Sequence, residues 1–145
     1  MKRKDFISLT GLTSLGLAFP SEIMGKLTVE KNKISLAQWS MNKSFFSGKK
    51  NVLKFPGFAA ELGFEGVEYV NQFYFDYLKS GSISSKNVKS LAKKLNKNAY
   101  ENDITNVLIM VDHEGELASN ESKKISKSIG QHKKWIELAL SLIHI

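Results

Sequence analysis

The sequence predicts an α/β fold built on a parallel sheet, and two observations carry that prediction. Segments with strand-like and helix-like hydropathy alternate in the order strand, helix, strand, helix, strand, helix. The third strand-like segment holds Val107-Leu108-Ile109-Met110-Val111, a continuous apolar run typical of parallel strands buried on both faces. Three such units fit either a small open sheet or the first part of a (β/α)8 barrel, and periodicity does not choose between them.

The first two predicted strands flank a short helix. Residues 34–40, Ile-Ser-Leu-Ala-Gln-Trp-Ser, alternate partly and predict the first strand. The apolar run over 64–70, which begins after Gly63 and stops at Asn71, predicts the second. Between them a helix is predicted over 55–63, with a proline suited to its first turn, a glycine at its end, and one apolar face formed by Phe55, Phe58, Ala59 and Leu62.

Two longer helices surround the third strand, which is predicted over 105–112. The first begins at Ser84 or Ser85, and its lysines lie opposite an apolar stripe formed by Val88, Leu91, Ala92, Leu95 and Ala99. The second spans 119–140, is capped near Ser119 or Asn120, and has its apolar face at Ile125, Ile129, His132, Ile136 and Ala139. On that face we expect His132 to be a hydrogen-bonded packing residue rather than a ligand.

Composition narrows the chemistry. The 145 residues include no Cys, which excludes disulfides, thiolate nucleophiles and zinc-thiolate sites. The net charge of +7 comes from Lys, with Arg3 as the single Arg. Nucleic-acid binding favours Arg-rich clusters interleaved with aromatic residues, so nucleic acid is not an expected partner and most Lys are expected on solvated helix faces.

The N-terminus has the layout of an export signal. Lys2, Arg3 and Lys4 precede a thirteen-residue stretch of apolar and small residues, which a polar break at Pro20 follows. The segment over 3–7, Arg-Lys-Asp-Phe-Ile, resembles a twin-arginine signal whose second Arg has become Lys. We therefore expect residues 1–32 to be an export signal and linker, and the protein to be periplasmic or exported. The expected partner of this signal is the export machinery. The protein is expected to touch a membrane only through this signal. An ordinary amphipathic first helix is the alternative.

Polar and aromatic residues close each predicted strand, where ligands bind in parallel α/β folds. Carboxylates and amides bond pairs of hydroxyl groups, and aromatic faces cover the C–H patches of a sugar ring, so carbohydrate is the expected ligand. The candidate substrate-binding residues are Gln38, Trp39, Glu68, Asn71, Asp112 and Glu114.

Each candidate also has a structural interpretation. Glu68 lies among apolar residues and needs a partner, which is either a ligand or a structural ion pair. Trp39 could equally be a core or rim aromatic residue. Asp112, His113 and Glu114 are hard metal ligands, but adjacent residues rarely converge on one ion, and a solvated loop explains them as well.

Three segments, taken in order, resemble the sugar phosphate isomerase/epimerase family of xylose-isomerase-like TIM barrels. They cover residues 34–40, 62–73 and 108–115, and the most telling part is Gly63-Phe64-Glu65-Gly66-Val67-Glu68. The family commonly begins its second strand in this way and keeps an acid at the position of Glu68. The resemblance implies that residues 33–139 are the first three βα units of a truncated (β/α)8 TIM barrel.

The resemblance also implies a function for the full-length protein. Such enzymes use a divalent metal, often Mn²⁺, Mg²⁺ or Zn²⁺, and move a proton next to a carbonyl. The metal ligands and the acid/base pair come from later strands, so we assign no metal ligand here and expect the fragment to be inactive by itself. Two rivals are a non-catalytic carbohydrate-binding barrel and, disfavoured by export and by the lack of Arg, an abasic-site endonuclease.

The last six residues carry a separate expectation. Residues 140–145, Leu-Ser-Leu-Ile-His-Ile, match one reading frame of a common transposase-type sequencing adapter. We therefore expect the native sequence to stop near Ala139 and this tail to be non-native, with a chance apolar ending as the alternative.

Overall fold

The structure, a computed structural model, describes residues 32–78 and 85–143 as an α/β arrangement around one parallel sheet. Its strands are β1 (Ser35–Ala37), β2 (Gly66–Val70) and β3 (Thr105–Met110). Its α-helices are α1 (Asn42–Phe46), α2 (Phe55–Glu61), α3 (Ser85–Glu101) and α4 (Ser122–Leu142). Three 3₁₀ helices span Gln38–Met41, Val52–Lys54 and Asn71–Tyr77. The predicted export signal over 1–31 and the last two residues of the predicted tail lie outside the described residues.

The three strands pair in chain order, β1-β2-β3, and both pairings are parallel. Val67 and Tyr69 of β2 are fully buried, and the Tyr69 ring packs edge-on against Phe55 of α2 at 5.9 Å between centroids. Since side chains alternate along a strand, Glu68 projects to the opposite face of the sheet. The helices pack in series, because α3 contacts both α2 and α4.

The sequence correctly predicts the order of the three strands and of α2, α3 and α4, including the long helix α3, but not the short helix α1. Its five apolar stripe residues are all buried, and the five lysines of the opposite face, Lys86, Lys89, Lys93, Lys94 and Lys97, are all exposed. The short helix α2 is also confirmed, with Pro56 in its first turn. Gly63 follows it in the left-handed region at φ +82°, where glycine avoids the steric cost of a Cβ. In the described ranges, no helix combines the length and apolar character that crossing a membrane requires.

The first strand is shorter than predicted. Pairing with β2 ends at Ala37, which lies opposite Glu68. Gln38, Trp39 and Ser40 were expected to complete the strand, but they turn into a 3₁₀ helix. The sequence did not reveal this turn, because residues that close a parallel strand are polar whether they are extended or helical.

The expectation that β3 is buried on both faces is wrong. Val107, Leu108 and Met110 are each about two-fifths exposed, at 41%, 39% and 43%. A register shift explains why adjacent residues share this exposure: Val67 pairs with Asn106 but Glu68 pairs with Leu108, so Val107 is an extra residue that interrupts the alternation. Gly66 leaves room for it, because a Cβ built there would lie 2.9 Å from Val107 Cγ2.

The predicted apolar face of the last helix is also wrong in part. Helix α4 begins at Ser122, three residues later than predicted, and Ile129 and Ile136 are about half exposed. The buried face instead consists of Ser128, Trp135, Leu138 and Leu142. Trp135, the largest side chain of this face, is 1% exposed, and its indole N–H donates to Glu114.

Candidate functional site

The carboxyl ends of the three strands are tied together by side-chain amides, beginning with Gln38. Gln38 is fully buried directly after β1, where its Oε1 accepts a hydrogen bond of 3.0 Å from the Val70 amide at the end of β2. Its Nε2 donates to the Tyr74 hydroxyl at 2.9 Å, and that hydroxyl donates to the Val52 carbonyl at 3.2 Å. Gln38 therefore joins β1, β2 and the loops that follow them.

Asn71 makes the corresponding connection between β2 and β3. It is fully buried, its Nδ2 donates to the Asp112 carbonyl at 2.8 Å, and its Oδ1 accepts from the Asp112 amide at 3.0 Å. This two-point contact fixes the backbone of Asp112 while leaving the Asp112 side chain exposed. Both predicted amides thus have protein partners, and their role in substrate binding stays a prediction.

Glu68 is the predicted site residue on the face of the sheet away from α2. Its side chain is half-buried, and its carboxylate accepts a hydrogen bond of 2.5 Å from the Ser35 hydroxyl of β1. Ser35 is two residues before Ala37, the register partner of Glu68, so both side chains lie on the same face. The structural ion pair considered for Glu68 is thus replaced by a hydroxyl partner, and a carboxylate held in this way can accept further hydrogen bonds from ligand hydroxyls.

Trp39 lies just beyond the carboxyl end of β1 and is a rim residue, 44% exposed. Its ring lies 6.1 Å from both the Phe46 and the Phe73 ring, and those two rings are 4.8 Å apart. We call Trp39, Phe46 and Phe73 the aromatic cluster. Phe73 is buried, so the cluster is anchored in the core while parts of Trp39 and Phe46 remain open to a ligand.

Glu114 is held away from the other predicted site residues. It is 4% exposed, and one carboxylate oxygen accepts from the Trp135 indole N–H and from the Lys134 ammonium at 2.8 Å. The loop between β3 and α4 is thereby fixed to α4. Gly115 at φ +87° packs so closely that a Cβ there would lie within 2.4 Å of Ser128 Oγ. His132, as expected, forms a packing hydrogen bond of 2.8 Å with the Ser128 carbonyl.

Burial shapes the electrostatics behind the site. Desolvation raises the pKa of Tyr69 and Tyr74 well above the ordinary tyrosine value. For Tyr74 the neighbouring Tyr69 adds to this effect, and the hydrogen bond from Gln38 opposes it. Both hydroxyls therefore remain protonated over the whole physiological range and act as hydrogen-bonding groups of the scaffold.

The described residues do not form a set of ligands for the divalent metal that the family resemblance implies. Within 32–78 and 85–143 there is no group of three or more His, Asp or Glu side chains placed to hold a metal ion. Asp112, His113 and Glu114 form no such group, and the Glu114 carboxylate is bonded to Trp135 and Lys134 of α4. We therefore derive no step through a metal from these residues.

Three contacts of the predicted residues were not predicted from the sequence. Ser35 binds Glu68, Tyr74 binds Gln38, and Phe46 contacts Trp39. The strand register would have identified Ser35, since it follows from aligning Ala37 with Glu68. Tyr74 lies in the 3₁₀ helix that follows β2, and Phe46 is the last residue of α1; hydrophobic periodicity does not reveal such short helices.

Comparison with known proteins does not assign the chain to a family. No protein-family model matches the chain. No curated protein matches it either.

Proposed function

We propose that the chain forms the first three βα units of a (β/α)8 barrel and supplies part of the sugar-binding mouth of an isomerase or epimerase. The observation that carries the proposal is the strand order β1-β2-β3 in a fully parallel sheet. Right-handed crossovers in an unreversed order place successive helices on one face, as in a barrel, whereas doubly wound sheets reverse their order. The serial packing of α2, α3 and α4 supports the same arrangement.

The position of Glu68 supports a sugar ligand. In a barrel the face opposite the helices is the interior, and Glu68 with its Ser35 partner lies on that face at the middle of β2. Its carboxylate would accept hydrogen bonds from ligand hydroxyls, and the exposed part of Trp39 would cover the C–H face of a sugar ring. Asp112, held by Asn71, adds a second carboxylate at the end of β3.

For the complete enzyme we propose proton transfer next to a carbonyl through an enediol(ate)-like state. The residues of this chain bind and orient the sugar: Glu68 holds hydroxyls, and Trp39 excludes water from one face of the ring. The acid, the base and the divalent metal belong, in this proposal, to later strands. We also propose that residues 1–32 direct the protein to the periplasm.

A binding experiment tests the assigned residues directly. Titration of the 145-residue chain with D-glucose and D-xylose, followed by saturation-transfer NMR, is expected to show weak binding. Glu68→Gln and Trp39→Ala should weaken it at least about tenfold, which corresponds to about 1.4 kcal/mol. Glu61→Gln, on the exposed surface of α2, is the matched control and should bind as the wild type does. Equal binding by Glu68→Gln would overturn the proposal.

The rival functions have their own readouts. Sugar binding by the full-length gene product without metal-dependent turnover would identify a carbohydrate-binding protein, and cleavage of an abasic DNA duplex would identify an endonuclease. The uninterrupted gene downstream of Ala139 tests the barrel itself. We expect it to encode five further βα units with acidic and His residues closing their strands. A natural stop codon after residue 145, together with cooperative melting of a monodisperse product, would contradict the barrel.

A further inference from the structure

We propose that the substrate is a glycoside with at least two rings, and that its second ring occupies a cleft beside the aromatic cluster. This inference rests on the proposed function and extends it to a substrate class. The cleft has a volume of about 620 Å³ and lies between the segment that follows β1 and the 3₁₀ helix that follows β2. It is therefore at the carboxyl end of the sheet, as Trp39 is, whereas Glu68 lies at the middle of β2.

The lining of the cleft matches a sugar ring. Five aromatic residues line it and provide apolar surface for C–H groups, among them Phe45, Phe46 and Phe73. Among its polar lining residues, Lys50, Gln72 and Asp76 bring an ammonium, an amide and a carboxylate to the same space. Hydroxyl groups both donate and accept, so they can bond all three kinds of group. A purely apolar ligand would desolvate these polar groups without replacing their hydrogen bonds.

The size of the cleft indicates a small molecule. Clefts that bind small ligands usually measure about 300–1,000 Å³ and are shaped by a few polar groups among aromatic ones. Lys50 is also held in place, because its ammonium lies 3.7 Å from the centroid of the Phe58 ring. A cation fixed in this way is a directional donor rather than a freely moving surface charge.

The aromatic cluster connects the cleft to the first sugar position. Phe46 and Phe73 line the cleft, and the same two rings contact Trp39. A ligand whose first ring stacks on Trp39 therefore reaches the cleft by crossing this pair of rings. A monosaccharide would fill only the first position, whereas a two-ring glycoside would contact both.

Paired sugars test this inference. The 145-residue chain is titrated with D-glucose and cellobiose, and with D-xylose and xylobiose, by saturation-transfer NMR and calorimetry. We expect at least one disaccharide to bind about tenfold more tightly than its monosaccharide, a difference of about 1.4 kcal/mol. Gln72→Ala should reduce this advantage to less than about threefold and leave monosaccharide affinity within about twofold of the wild type, since one neutral hydrogen bond contributes about 1 kcal/mol. Phe46→Ala should remove the advantage as well.

Two controls match these variants. Gln131→Ala removes a glutamine from α4, and Leu62→Ala removes an exposed apolar side chain next to α2; neither residue lines the cleft, and both variants should keep the full disaccharide advantage. Monosaccharide binding without a disaccharide advantage, or an advantage that survives Gln72→Ala and Phe46→Ala, would overturn the glycoside inference alone. Failure of all four sugars to bind would overturn the proposed function together with it.

Discussion

The Asn71 side chain binds both backbone polar groups of Asp112: it accepts a hydrogen bond from the amide and donates one to the carbonyl. This contact joins the ends of β2 and β3 beyond the last paired residues, Val70 and Met110. The Asn71 side chain thus continues the β2–β3 pairing by one residue. It also fixes the backbone position of Asp112, and with it the point from which the carboxylate projects.

The first prediction concerns this contact between Asn71 and Asp112. Asn71→Ala should lower the free energy of unfolding by about 1–3 kcal/mol, because it removes two part-buried hydrogen bonds made by a buried side chain. Urea unfolding measures the change. Asn42→Ala, which removes one exposed hydrogen bond of 2.8 Å to the Trp39 carbonyl, should cost less than about 1 kcal/mol. Equal losses in the two variants would contradict the buried contact.

The second prediction separates steric crowding from backbone strain. Gly115 and Gly48 both have positive φ, at +87° and +71°, but only Gly115 has an atom, Ser128 Oγ, within 2.4 Å of a built Cβ. Gly48→Ala should cost about 1 kcal/mol for the left-handed backbone. Gly115→Ala should cost about 1–3 kcal/mol more, because the β3–α4 loop must shift. Thermal or urea unfolding compares them, and a smaller loss at Gly115 would refute the close packing.

The third prediction concerns alkaline pH. Burial raises the pKa of Tyr69 and Tyr74 in the folded state, so both states stay protonated below the ordinary value of about 10 and stability is fully present there. Above that pH the unfolded chain ionises first, and stability should fall by about 1.4 kcal/mol per pH unit for each tyrosine. Tyr69→Phe and Tyr74→Phe should each make the decline between pH 10 and 11.5 shallower by one such increment, as followed by urea unfolding.

Tyr100, 89% exposed, provides the control for this experiment. Tyr100→Phe should leave the slope of stability against pH unchanged. A slope that is the same in the wild type and in both buried variants would show that the two hydroxyls do not control alkaline unfolding.

The fourth prediction compares the two faces of the sheet. Leu108→Thr changes a side chain that is 39% exposed on β3 and should cost less than about 1 kcal/mol. Val67→Thr places a hydroxyl in the fully buried layer between β2 and the helices and should cost about 1–3 kcal/mol. Leu108→Thr should also raise solubility, because it reduces the apolar surface on an open strand edge. Light scattering measures this effect, and a larger stability loss at Leu108 than at Val67 would contradict the exposed face.

The parts of the fold that depend on local periodicity were predictable. Helix α3 was identified because Val88, Leu91 and Leu95 lie on one stripe with lysines opposite, so a single pattern defines both its length and its buried face. The strands β2 and β3 were located by apolar runs between turn residues. Their order then followed from alternation with helices.

The parts that depend on pairing between distant residues were not predictable. The extra residue Val107 is a property of the β2–β3 register, and a continuous apolar run contains no trace of it. The face of α4 was misassigned because the bond between Trp135 and Glu114 joins residues 21 positions apart. At the candidate site, the hydrogen bonds of Gln38 and Asn71 to backbone groups of other strands became visible only in the folded structure.

Gly66 and Val107 approach each other so closely that the side-chain size allowed at one position depends on the side chain at the other. A methyl group at position 66 requires a smaller residue at position 107 or a return to regular alternation, which would turn the side chains that follow on β3 to the other surface. Substitutions at either position are therefore interpretable only as a pair. The paired change Gly66→Ala with Val107→Gly avoids the close contact with Val107 that Gly66→Ala alone would create.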